Sequence, residues 1–122
     1  MYKVSYCETK FHNLDEMSNT VKDVKKIETL HGKVEDFHYW SSGMKEICFR
    51  IDDVNHNFFV DEVLKKSRKS IEVGDEIEIL YMMDRYNVNH TVRVINKTKK
   101  LDFISVKNSV ILSWKQGKPM TI

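Results

Sequence analysis

The segment IETLHGKVEDFHYW, Ile27 to Trp40, sets the architecture of this chain. Its polarity changes with a period of two, so it reads as β-strand. It exceeds an average strand, which runs to about 5–6 residues, and Gly32 stands near its middle. A glycine inside a strand suits a bulge or a sharp bend. The stretch is therefore expected to be one long, kinked strand that serves two parts of a barrel.

Period-two segments continue downstream. Ser41, Ser42 and Gly43 make a turn, after which Ile47, Phe49 and Ile51 alternate with Glu46, Cys48, Arg50 and Asp52. Asp53 to Asn57 reads as a polar turn and Phe58, Phe59 and Val60 as a short strand, completing a meander. Asp61 suits the cap of a brief helix carrying Val63 and Leu64, with Lys65, Lys66, Arg68 and Lys69 towards its C-terminus. Past the Gly74-Asp75 turn, Ile77, Ile79 and Tyr81 alternate with glutamates. On the next strand Val92, Val94 and Asn96 face one way and Arg93 and Ile95 the other, before a charged break at Lys97 to Lys100. Val110, Leu112 and Trp114 suggest a last strand ahead of Gly117 and Pro119.

Upstream of Ile27 the pattern differs. Tyr2, Val4 and Tyr6 alternate within Met1 to Lys10, as in a short edge strand. Asn13 is a good N-cap with Glu16 in capping-box position, and Leu14, Met17, Val21 and Val24 recur on one helical face. That stripe must be buried, either on the barrel or on a second copy.

At 122 residues the chain is the size of one domain: an N-terminal extension (1–25), a β-barrel (26–100) and a C-terminal strand and tail (101–122). Hydrophobic residues at 41% against charged residues at 31% mark a globular chain. There is no alanine and one proline, which favours strands over long helices. The same bias towards Lys, Ile and Asn is what AT-rich coding DNA produces. No apolar run approaches the roughly 20 residues that span a bilayer, and no signal-peptide core follows Met1, so a cytoplasmic location without membrane contact is expected. Cys7 and Cys48 are then expected to be free buried thiols.

The strand order resembles the OB-fold, a five-stranded Greek-key barrel. The matching elements are Ile27–Trp40, Met44–Asp52, Asn57–Val60, Asp61–Ser67, Glu76–Met83 and His90–Thr98, with the helix between strands three and four. The stretch Ile71 to Ile77 looks like the turn that leads into the fourth strand of such barrels. By composition and size the chain is also similar to bacterial proteins carried on mobile gene cassettes. The barrel resemblance implies a ligand face on strands two and three, where Arg50 is the basic residue.

Chemistry-bearing clusters are sparse. Lys65-Lys66-Ser67-Arg68-Lys69 and Lys97-Thr98-Lys99-Lys100 are dense basic runs, but the net charge is only +2 and Glu35, Asp36, Glu76 and Glu78 are interspersed. Those runs read as solvated loops, or as phosphate contacts if Tyr39, Trp40, Phe59 and Tyr86 stack bases beside them. The five histidines show no i,i+4 pair and there is no CxxC, so no metal site is expected; His38 and His56 are the one cross-strand coincidence. The doublets Asp52-Asp53, Asp61-Glu62 and Asp75-Glu76 sit at turns and a helix start, and adjacent strand residues diverge, so no carboxylate pair converges. GxSxG, GxGxxG, Walker and HExxH motifs are absent.

The expectation is therefore a binding module and not an enzyme, with no cofactor. Its partner is a protein or a second copy of itself, met through an apolar and aromatic surface. The competing reading is a single-strand nucleic-acid binder. The candidate ligand residues are Tyr39, Trp40, Arg50, Phe59, Lys65, Lys66 and Arg68, and the candidate interface is Leu14, Met17, Val21 and Val24. The period-two positions Ile47, Phe49, Ile51, Phe58, Ile77, Ile79, Val92 and Val94 should form the core. Phe49→Ala should lower the unfolding free energy by about 3–5 kcal/mol in urea denaturation, whereas a loss under about 1 kcal/mol would place Phe49 at the surface.

Overall fold

The structure is a computed structural model, and it describes residues 1–7, 22–39 and 46–117. The stripe residues Leu14, Met17 and Val21, the turn Ser41 to Gly43, and Trp40 lie outside the described residues. Among the described ones, β1 (Lys3–Cys7), β2 (Val24–Lys33), β3 (Asp36–Tyr39), β4 (Glu46–Ile51) and β5 (Val54–Phe59) come first. The helix α1 (Glu62–Arg68) follows, then β6 (Glu76–Asp84), β7 (Asn89–Asn96), β8 (Leu101–Ser105) and the helix α2 (Val106–Lys115). The fold is mainly β. No described helix is long and apolar enough to cross a membrane.

The strands form two sheets, one in the order β1-β8-β7-β6-β2 and one in the order β3-β4-β5. All pairings are antiparallel except that of β1 with β8. The expected barrel is corrected here: the sheets do not close into one. The reason is edge occupancy. After β7 the chain turns back as β8, which takes the edge of β7 that β5 would have needed for closure.

The long segment bends as expected, but it splits. Gly32 has a φ of +154° and packs so closely on β4 that a Cβ there would lie 2.5 Å from Ile51 Cγ2. Val34 and Glu35 then carry the chain from one sheet to the other. Val34 N donates to Asp75 O (2.9 Å), Val34 O accepts from Gly74 N (2.8 Å), and Glu35 N donates to Arg50 O (2.9 Å). The bend is thus satisfied from both sheets, as a buried backbone must be. Val34 itself is buried.

The main core lies between the sheets, and the expected positions Ile47, Phe49, Ile51, Phe58, Ile77, Ile79 and Val94 are all in it. Phe37, Phe49, Phe58 and Tyr81 form a continuous aromatic series across the sheets, with ring centroids 6.0, 6.0 and 5.2 Å apart. Val63 and Leu64 of α1 cap this core, and Asp61 is the N-cap, accepting from Leu64 N at 3.3 Å.

Three local expectations are corrected. Val92 does not share a face with Val94. The register steps from Leu80–Arg93 to Tyr81–Thr91, so Val92 is the extra residue of a β-bulge. It joins Val24, Met82 and Ile111 in a second cluster on the opposite side of the large sheet. The turn after β4 is only Asp52-Asp53, both at positive φ (53° and 62°), and β5 therefore starts at Val54. Val110, Leu112 and Trp114 are not a strand but part of α2, capped by Ser105 Oγ accepting from Asn108 N at 3.1 Å.

Gly32→Ala should destabilise the protein by about 1–3 kcal/mol through overpacking against Ile51 and backbone strain. The cost should shrink in an Ile51→Ala background, because the struck methyl is gone. Strict additivity of the two substitutions in urea denaturation would contradict the close approach.

Candidate functional site

The strand registers decide which candidate side chains meet. In the small sheet, Phe37 and Tyr39 pair with Phe49 and Ile47, and these point to the core. Asp36, His38, Cys48, Arg50, Asn55, Asn57 and Phe59 alternate with them and point outward. Tyr39 is therefore on the opposite face from Arg50 and Phe59. Its ring lies under the Arg68 guanidinium, 4.5 Å from the carbon to the centroid, so two candidate ligand residues are engaged with each other. Lys65 sits 3.6 Å from Glu62 on the exposed side of α1, and Lys66 is exposed beside it.

On the outward face Arg50 and Phe59 occupy opposite ends. Arg50 pairs across with Asn55 and Phe59 with Glu46, four positions apart, or about 13 Å along the strand. Arg50 Nη2 is 3.3 Å from Asp53 Oδ1, which offsets its charge. Phe59 is 40% exposed and its ring meets that of His90 at 5.6 Å. Cys48 is buried although it alternates away from the core, and burial pushes its thiol up, away from nucleophilic use. His38 and His56 project to opposite sides. No group of three or more His, Cys, Asp or Glu suited to a metal occurs among the described residues.

The basic run at Lys97 to Lys100 is the β7–β8 turn. Lys99 Nζ lies 3.1 Å from Asp75 Oδ2 and 3.0 Å from Glu72 Oε1, and it also donates to Ser70 O. Asn96 Nδ2 donates to the same Asp75 oxygen at 2.9 Å. Lys99 is committed to holding the turn before β6.

A polar pair closes the other end of the large sheet. His90 Nε2 is 2.9 Å from Asp84 Oδ2, and Asp84 Oδ1 accepts from Tyr86 N (2.8 Å) and Val88 N (3.0 Å). Burial opposes ionisation of Asp84, but the bonds from His90, Val88 and Tyr86 outweigh it and hold the carboxyl below its ordinary range. Asp84, His90, Asp23, Val24, Met82 and Asn108 line a cavity of about 190 Å³. Asn108 is tied down, donating to Thr91 O at 2.7 Å and to Asp61 Oδ2 at 3.2 Å. The candidate interface residue Val24 is buried at this end, against Met82, Val92 and Ile111.

The largest feature that the sequence reading missed is the outward face of the five-stranded sheet. Among the described elements, the α2 helix covers the end near Val24, Met82 and Val92, with Ile27 and Leu80 packed at the margin of that cluster. From Leu80 the face continues through half-buried Ile95 and Ile104 to exposed Val4 and Tyr6. They surround Arg93, which makes two bonds to Asp102, at 2.9 Å through Nε and 2.5 Å through Nη2. A shallow hollow of about 130 Å³ lies between Thr29, Glu78, Leu80, Arg93 and Ile95. The available signal was the alternation in Leu101 to Ser105, which marks β8 and with it the width of the sheet.

Comparison of the chain with protein-family models, curated proteins and solved structures finds no significant match in any of the three.

Asp84→Asn keeps the shape of the loop cap but loses the charge, and should cost about 1–3 kcal/mol at neutral pH. Because folding lowers the Asp84 pKa, its contribution is complete above the unfolded value of about 4. It fades as pH falls through the lower folded value. The stability gap between wild type and variant should therefore narrow below about pH 4; a gap that widens on acidification would contradict this.

Proposed function

We propose that the protein is a small binding module that works by apolar association with another protein surface. The observation that carries this reading is the part of the five-stranded sheet's outward face that no described element covers. Val4 and Tyr6 are 43% and 66% exposed there, continuous with Leu80, Ile95 and Ile104. A contiguous apolar surface rimmed by polar groups is what protein association uses. The Arg93–Asp102 pair at its centre supplies orientation, since a fixed bidentate pair leaves few polar groups to be stripped of water.

A second reading, a single-strand nucleic-acid module, is favoured by one observation. The chain runs from β2 through the bend into β3, pairing with β6 on one side and β4 on the other, as the long first strand of an OB-type domain does. Phe59 and Arg50 both lie on the outward face of strands β4 and β5, where such domains stack bases. The charge balance weakens it. Arg50 is offset by Asp53, Lys65 by Glu62 and Lys99 by Asp75 and Glu72.

Sedimentation at low and high salt, with and without a mixed-sequence oligonucleotide, separates the two. Apolar association should persist at high salt and weaken on Ile104→Glu. A monomer that moves tightly onto the oligonucleotide, and leaves it as salt rises, would overturn the proposal in favour of the second reading.

A further inference from the structure

Among the described residues, three of the four strand edges, those of β2, β3 and β5, carry strong deterrents to further pairing. The outer edge of β2 has a register break between Val24 and Lys26 and bears Lys25, Lys26 and Lys33. Strand β3 is only four residues long. The edge of β5 lies against β7, where Asn89 Nδ2 donates to Asn57 O at 2.9 Å. Lysines, breaks, brevity and cover are the usual devices that stop sheets from growing. Strand β1 is the least protected of the four edges, with five residues, one lysine at Lys3 and no register break. It ends the five-stranded sheet, has regular pairing with β8 throughout, and has no strand on its other side among the described residues.

In the sequence Tyr2-Lys3-Val4-Ser5-Tyr6 at the start of β1, Tyr2 and Tyr6 flank Val4 symmetrically. Lys3 N donates to Lys100 O, so Lys3 and, by alternation, Ser5 direct their backbone groups to β8. Tyr2, Val4 and Tyr6 therefore direct theirs outward. Their side chains also share one face, and are 40%, 43% and 66% exposed.

We propose that β1 pairs antiparallel with β1 of a second copy about a twofold axis at Val4, joining two five-stranded sheets into one. This deepens the association reading above and rests on it. The register places Val4 opposite its own counterpart and Tyr2 opposite Tyr6, in cross-strand pairs of the kind that stabilise antiparallel sheets. It puts Lys3 opposite Ser5 and so keeps the two lysines from facing each other. The outward N–H and C=O groups of Tyr2, Val4 and Tyr6 then all find partners. The twofold is isologous, so the assembly stops at two. It also brings the outward faces of both copies onto one continuous surface. One strand pair is a small interface, so the dissociation constant should be on the order of micromolar.

Sedimentation equilibrium over a range of concentrations, in the absence of nucleic acid, tests the pairing. The wild type should pass from monomer to dimer and no further. Val4→Lys sets two like charges face to face at the axis and should leave a monomer with an unchanged circular dichroism spectrum. Val4→Cys chains should cross-link to a covalent dimer on mild oxidation, because the native Cys7 and Cys48 are buried; this readout stands even if Val4→Lys does not fold. A wild type that stays monomeric up to about millimolar concentration, far above the expected constant, would overturn the pairing. A dimer that survives Val4→Lys and does not cross-link through Val4→Cys would overturn the pairing while leaving apolar association in place.

Discussion

The close approach of Gly32 to Ile51 is the constraint on which the two-sheet arrangement depends. A strand can feed two sheets only if it turns sharply where they meet, and at that point a side chain on β2 would collide with β4. Glycine removes the obstacle and tolerates the positive φ. Val34 then seals the corner, its amide and carbonyl bonded to the Gly74-Asp75 turn. That turn is itself held by Asn96 and Lys99 through Asp75. The corner, the turn before β6 and the β7–β8 turn are thus one connected unit, and the aromatic series from Phe37 to Tyr81 fills the space that they enclose.

Much of this was legible in the sequence. Gly32 inside an overlong strand pattern announced the bend, Asp61 announced α1, and the period-two apolar positions announced the core. What was not legible has physical causes. The bulge at Val92 shifts the strand by one residue, so Val92 and Val94 separate although their spacing puts them together. The contiguous apolar residues Val110, Ile111 and Leu112 fit either period, and only the Ser105 cap distinguishes helix from strand. Closure failed because β8 occupies the edge of β7. That competition depends on long-range pairing, which local pattern does not report.

The candidate site was less legible than the fold. Tyr39 and Arg68 are both present as chosen, but they spend their chemistry on each other. Arg50 and Phe59 do share a face, though at opposite ends of it. Within the basic runs chosen for their density in sequence, Lys65 is paired with Glu62 and Lys99 with Glu72 and Asp75. The outward face of the large sheet escaped notice because it is assembled from five separate strands, none of which is unusually apolar alone. Its extent follows from β1 and β8 joining β7, β6 and β2.

That same extension leaves β1 as the sheet's last strand, with one set of backbone groups bonded inward and the alternate set directed out. Amide hydrogen exchange on the wild type, followed residue by residue as protein concentration rises, reads these two sets separately. The account predicts that Lys3 and Ser5 are protected at every concentration, while Val4 and Tyr6 exchange freely when dilute and become protected together as dimers form. Rapid exchange at Val4 and Tyr6 at all concentrations would contradict it.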